Sequence, residues 1–139
     1  MSEQLDLFDT PSLNPVARVK ESMRQAIKIS GLARGQVADK VNELARIEGF
    51  TTNGKNGEVT TEMLDKWLAP GAEHIIPWKL IPIFCRVVRS SDPIKALAQP
   101  LGAQVIDRED AALLKWAKVE RERRKIVKQQ KALGWEIGI

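Results

Sequence analysis

Gly31-Leu32-Ala33-Arg34-Gly35-Gln36-Val37-Ala38-Asp39-Lys40-Val41 and, further on, Val59-Thr60-Thr61-Glu62-Met63-Leu64-Asp65-Lys66-Trp67 together decide how this chain folds. Each stretch has the length and apolar spacing of a helix of about three turns or fewer. Such a helix is not stable alone in water, so each needs the other and flanking helices to pack on. The first stretch extends into a helix over about Ala33 to Ile47, with Val37, Ala38, Val41, Leu44 and Ala45 as its buried stripe. Small Ala38 permits a close crossing with the next helix. In the second stretch Thr60 caps the helix start. Leu64, Trp67 and Leu68 form the inward face, while Thr61, Glu62, Asp65 and Lys66 face out.

Working outward, Asn14-Pro15 opens an earlier helix. Val16, Val19, Met23, Ala26 and Ile27 form its stripe, and Gly31 is its stop. Arg18, Lys20, Glu21, Arg24, Gln25 and Lys28 are assigned to its wet side. Between the two central helices lies the interval 48–58, with turn signals at Asn53-Gly54 and Asn56-Gly57. Phe50 is expected to anchor its base and Lys55 to sit at its tip. Thr51-Thr52 and Glu58-Val59 have the makings of a brief hairpin. Pro77 begins a fourth helix, in which Pro82 is tolerable only if the helix starts near Lys79. Asp92-Pro93 caps and opens a fifth, short helix through Ala98, which Pro100-Leu101-Gly102 ends.

Asp107 to Leu133 reads as one long helix, capped by Asp107 and followed by Gly134. Acids crowd its first turn and basic residues its last, the order that the helix dipole favours. Ala112, Trp116, Val119, Arg123, Ile126, Gln130 and Leu133 alternate at spacings of four and three, as in a coiled-coil seam. The alternative is that Leu113, Leu114 and Ala117 dock the start of the helix on the body. The tail Trp135 to Ile139 is apolar and expected to pack. Residues 107–131 carry nine Lys/Arg and five Asp/Glu, so this segment equals the net +4 of the whole chain. A basic stripe with Arg121, Arg124 and Lys128 suits a polyanion. It also suits a solvated face or a dimer stalk.

The chain predicts an all-α protein: an arm over 1–13, a domain over 14–102, and the long helix with its tail over 103–139. Its one cysteine, Cys85, allows no disulfide within the chain, and the N-terminus carries no signal-like apolar run; both imply a cytoplasmic setting. No stretch reaches membrane-spanning length. His74 and Cys85 lie on different elements, and neither a zinc set nor a nucleophilic triad can be assembled. No catalytic residue, metal or cofactor is therefore expected, and the chain does not read as an enzyme.

Taken together, these stretches resemble the lambda-repressor/Cro-like helix-turn-helix family over about residues 16–98. Gly31 to Val41 is similar to that family's second-helix pattern G-L-T-Q-x-x-L-A-x-x-L. Val59 to Trp67 is similar to its recognition-helix pattern V-S-x-x-x-I-S-x-W. Pro77 through Leu97 resembles its closing pair of helices. The resemblance implies a five-helix domain that binds double-stranded DNA with its third helix in the major groove. It further implies a bacterial or phage transcriptional regulator or accessory DNA-transaction factor. The residues assigned to DNA are Arg34, Gln36, Lys55, Thr60, Thr61, Glu62, Asp65 and Lys66, with Arg121, Arg124 and Lys128 from the long helix. A homodimer through that helix is expected. Three features depart from the pattern: the interval 48–58 replaces a turn of a few residues, Ala33 replaces a capping Thr or Ser, and Glu62 and Asp65 put acids on the reading face. Separately, Gln4-Leu5-Asp6-Leu7-Phe8 resembles the Q-L-[SD]-L-F pentapeptide by which bacterial replication and repair proteins dock on the DNA sliding clamp. It implies the alternative of an interaction adaptor, with Gln4, Leu5, Leu7 and Phe8 at the contact.

Overall fold

A computed structural model describes residues 12–49 and 57–138. Within them the chain is all-helical. The α-helices are α1 (Val16–Ser30), α2 (Arg34–Ile47), α3 (Thr61–Leu68), α4 (Ile81–Val88), α5 (Asp92–Ala98) and α6 (Arg108–Glu136). Single 3-10 turns, Trp78–Leu80 and Gln99–Leu101, precede α4 and follow α5. The chain divides into two compact units, with the boundary between Val105 and Ile106.

In the first unit the expected stripes meet in one core. Met23 from α1, Val37 from α2, Leu64 and Leu68 from α3, and Leu80 and Phe84 around α4 are almost wholly buried. Helix α1 lies chiefly against α5 and also touches α3, while α2 packs on α4 and α3. The local stop and start signals act as their chemistry dictates. The Asn14 Oδ1 accepts from the Val16 N–H at 3.1 Å. Gly31 ends α1 in the left-handed region at φ 74°, where a side chain would be strained. Pro82 falls in the first turn of α4, among N–H groups without an intrahelical acceptor.

Several expectations need correction. Lys20 is not on a wet face: it is buried. Asp92 does not cap α5. It is the first helical residue, and its N–H donates to the Ser90 Oγ at 3.2 Å. Gly134 does not stop the last helix, which runs on to Glu136 because flanking residues of good helix propensity carry it through. Trp135 is therefore helical, and it is exposed rather than packed. The arm with Gln4, Leu5, Leu7 and Phe8, the loop residues Phe50 and Lys55, and the Thr51-Thr52 half of the hairpin lie outside the described residues.

Candidate nucleic-acid interface

Helix α3 has eight residues, too few to hold itself, so its surroundings must fix it. Three sets of bonds do so. At its start the Thr60 Oγ1 accepts from the Met63 N–H at 3.1 Å. Just before that, the buried Asn42 of α2 clamps the backbone of Val59 from both sides. Its Nδ2 donates to the Val59 carbonyl at 2.8 Å, and its Oδ1 accepts from the Val59 N–H at 2.7 Å. This amide closes the base of the long interval and delivers the chain to Thr60 in the right direction. At the other end, the Lys20 Nζ of α1 donates to the carbonyl of Lys66 at 3.1 Å and to that of His74 at 2.6 Å. The Arg24 guanidinium donates to the Leu68 carbonyl and also pairs with Glu21. Two cations thus meet the carbonyl end of α3, where the helix dipole is negative. Burial holds the Lys20 ammonium below its ordinary pKa, and the neighbouring Arg24 adds to this.

With its inner face anchored by Leu64, Trp67 and Leu68, α3 presents Thr61, Glu62, Asp65 and Lys66 outward, and all four are exposed. The first turn of α2 adjoins this face. The Arg34 Nη1 stands 2.7 Å from the Asp65 Oδ1, with both side chains about half exposed. A Cβ added at Gly35 would lie 3.9 Å from the Thr61 Oγ1. Ala33 offers no side-chain acceptor at the α2 N-cap. Instead the Gln36 Oε1 turns back to accept the Ala33 N–H at 2.9 Å, leaving its Nε2 as a donor. Arg34, Thr60, Thr61 and Asp65 therefore share one surface, which Glu62, Lys66 and Gln36 extend. The electrostatics differ from what four separate side chains suggest. The guanidinium of Arg34 offsets the Asp65 carboxylate, so Glu62 and Lys66 carry the remaining opposite charges of the α3 face. Among the described residues neither of these two enters an ion pair.

Arg121, Arg124 and Lys128 belong to the second unit, on α6, and are exposed. The Arg124 Nε stands 3.5 Å from Glu120, while Arg123 donates to the same carboxylate at 2.8 and 3.1 Å. The bond from Arg123 holds the Glu120 carboxyl below its ordinary value. Elsewhere, burial pushes the Cys85 thiol up, which keeps it protonated and a poor nucleophile. No group of three or more His, Cys, Asp or Glu among the described residues is arranged to hold a metal ion. No described helix is long and apolar enough to cross a membrane.

Lys20, Arg24 and Asn42 are the positioning residues that the sequence reading missed. The signal was present for two of them. Lys20 falls four residues after Val16 and three before Met23, and Asn42 falls four after Ala38 and three before Ala45, so both occupy stripe positions. Comparison with protein-family models, characterised proteins and solved structures returned no match.

Proposed function

We propose that this protein binds double-stranded DNA through the α2–α3 surface, in the manner of a lambda-repressor-like helix-turn-helix. It would serve as a bacterial or phage transcriptional regulator or accessory DNA-transaction factor. One observation carries the reading: a short helix, locked at both ends and along its inner face, turns Thr61, Glu62 and Lys66 outward beside the first turn of a second helix. Unpaired N–H groups at the start of α2 favour phosphate. Arg34, which starts that helix, is the cation placed to follow. On contact it exchanges the Asp65 carboxylate for a phosphate oxygen, and its long side chain has the reach for both. Thr61 and Lys66 then reach bases or backbone, and the Glu62 carboxylate suits the amino group of a cytosine. Arg121, Arg124 and Lys128 supply affinity that does not depend on sequence.

The test is fluorescence anisotropy of the full chain on labelled random duplex DNA, with salt titrated from low to physiological. A rise that weakens steeply with salt is expected. A flat signal at low salt and high protein concentration would remove the reading. Selection of bound sites from a random duplex pool should return a sequence preference that changes when Glu62 is replaced by Gln.

A further inference from the structure

Helix α6 runs for 29 residues and none of them is buried. Its apolar side chains gather chiefly along one face, with Leu114 and Trp135 standing off it. Ala112, Trp116, Val119, Ile126 and Leu133 lie along one seam at alternating spacings of four and three. Trp116, Val119 and Leu133 are 64%, 68% and 59% exposed, so the apolar seam is open. The seam's other two positions hold Arg123 and Gln130. On the opposite face stand Lys118, Arg121, Arg124, Lys125, Lys128 and Lys131, with one acid, Asp110, in the first turn. Glu120 and Glu122 fall between the two faces, one on each flank of the seam.

The charges identify the partner that this seam accepts. Arg123 sits inside it and is already bonded by Glu120 of its own helix at 2.8 and 3.1 Å. When two such helices lie parallel and in register, Glu122 of each comes beside Arg123 of the other, and Lys115 of each beside Glu120 of the other. The two Arg123 guanidiniums, which meet across the seam in this register, are then bracketed by four carboxylates, Glu120 and Glu122 of each helix. Gln130 meets Gln130, and two amides can bond one another. An antiparallel pair would set Arg123 against Ile126 and Gln130 against Val119, which leaves a guanidinium and an amide facing aliphatic side chains. We infer that α6 is a parallel, in-register two-stranded coiled coil formed with a second copy of this chain. Its apolar seam lies inside and its Lys/Arg face outside. The inference does not rest on the DNA reading, and its test contains no DNA.

Sedimentation equilibrium of the full chain should give twice the 15.6 kDa chain mass. Leu133→Cys, in a Cys85→Ala background, should then form an intermolecular disulfide on mild oxidation, since equivalent seam residues are adjacent only in the parallel register. Val119→Glu should raise the dimer dissociation constant by roughly 100-fold or more. Arg123→Glu should also weaken the dimer, since it adds two carboxylates to the four of Glu120 and Glu122 and removes the cations between them. Adding Glu122→Arg to that variant, which leaves the Lys115–Glu120 pairs in place, should restore part of the affinity, a rescue that a merely misfolded variant would not show. A monomer across the accessible concentration range overturns the inference. So does a trimer, a dimer in which Leu133→Cys fails to cross-link, or a dimer indifferent to Val119→Glu.

Discussion

Arg34 and Asp65 form the contact on which the α2–α3 surface turns. An exposed ion pair contributes about 0–1 kcal/mol to stability, so its interest lies in what else Arg34 can bind. Arg34→Ala should leave thermal stability nearly unchanged and reduce the salt slope of DNA binding by about one. Asp65→Asn releases the guanidinium and removes a carboxylate from the face, so it should tighten binding at low salt. If Asp65→Asn weakens binding instead, Asp65 is itself a reader and not a counter-ion for Arg34. Arg89 poses a different single-residue question. It ends α4 at φ 56°, the one left-handed residue other than glycine among those described. Arg89→Gly relieves the crowding of its Cβ and should stabilise the fold by about 0.5–1 kcal/mol, read as a shift in the urea midpoint.

Among the elements, α3 depends most on its neighbours. Eight residues make too few internal hydrogen bonds to outweigh the cost of ordering them, so the clamps must decide whether the helix exists. Asn42→Ala would leave the Val59 N–H and carbonyl buried without partners. The expected loss is about 2–4 kcal/mol, measured by chemical denaturation. Asn42→Asp keeps the acceptor but not the donor and should recover only part of that loss. Lys20→Met tests the other end. It keeps the aliphatic stem but deletes the donor to the Lys66 and His74 carbonyls. DNA binding should fall through loosened α3 geometry, although residue 20 is buried and offers DNA no contact of its own. Hydrogen exchange of the α3 amides, faster in both variants than in the wild type, would separate this positional effect from a direct contact.

For the whole molecule, two buried ionisable groups set opposing trends in alkali. Burial raises the Cys85 thiol from its ordinary 9.0; the backbone bond involving Ile94 opposes this and Asp92 adds to it. A group raised in the folded state contributes stability that is present below its unfolded value and lost as pH climbs through the folded one. Lys20 is lowered from 10.5 by burial and by Arg24. Here the folded state binds fewer protons, so stability rises with pH between the folded value and 10.5. Comparison of the wild type with Cys85→Ala isolates the first trend. The difference between their urea midpoints should shrink as pH rises above about 9. A constant difference would mean that the thiol is not desolvated.

Periodicity and punctuation were enough to place the helices. The stripe of α1, the Gly31 stop, the Thr60 and Asp107 caps and the demand that Pro82 lie in a first turn are all local, and local chemistry decided them. The inward set Leu64, Trp67 and Leu68 follows from the same period, because a helix has only one face to bury. Three matters were beyond the reach of that argument. Lys20 and Asn42 stood on stripe positions, yet whether a polar group can be buried depends on acceptors and donors brought from residues 46 or 17 positions away. Whether Asp65 is a free carboxylate depends on Arg34, which only the crossing of α2 and α3 brings within 2.7 Å. The glycine at 134 reads as a stop, but a stop requires the backbone to enter the left-handed region there. Amino-acid order alone therefore settled which segments are helical and which faces are apolar. Packing decided which polar side chains hold those helices in place and which remain at the surface, since the partners that satisfy a buried donor or neutralise a charge lie far along the chain and near only in space.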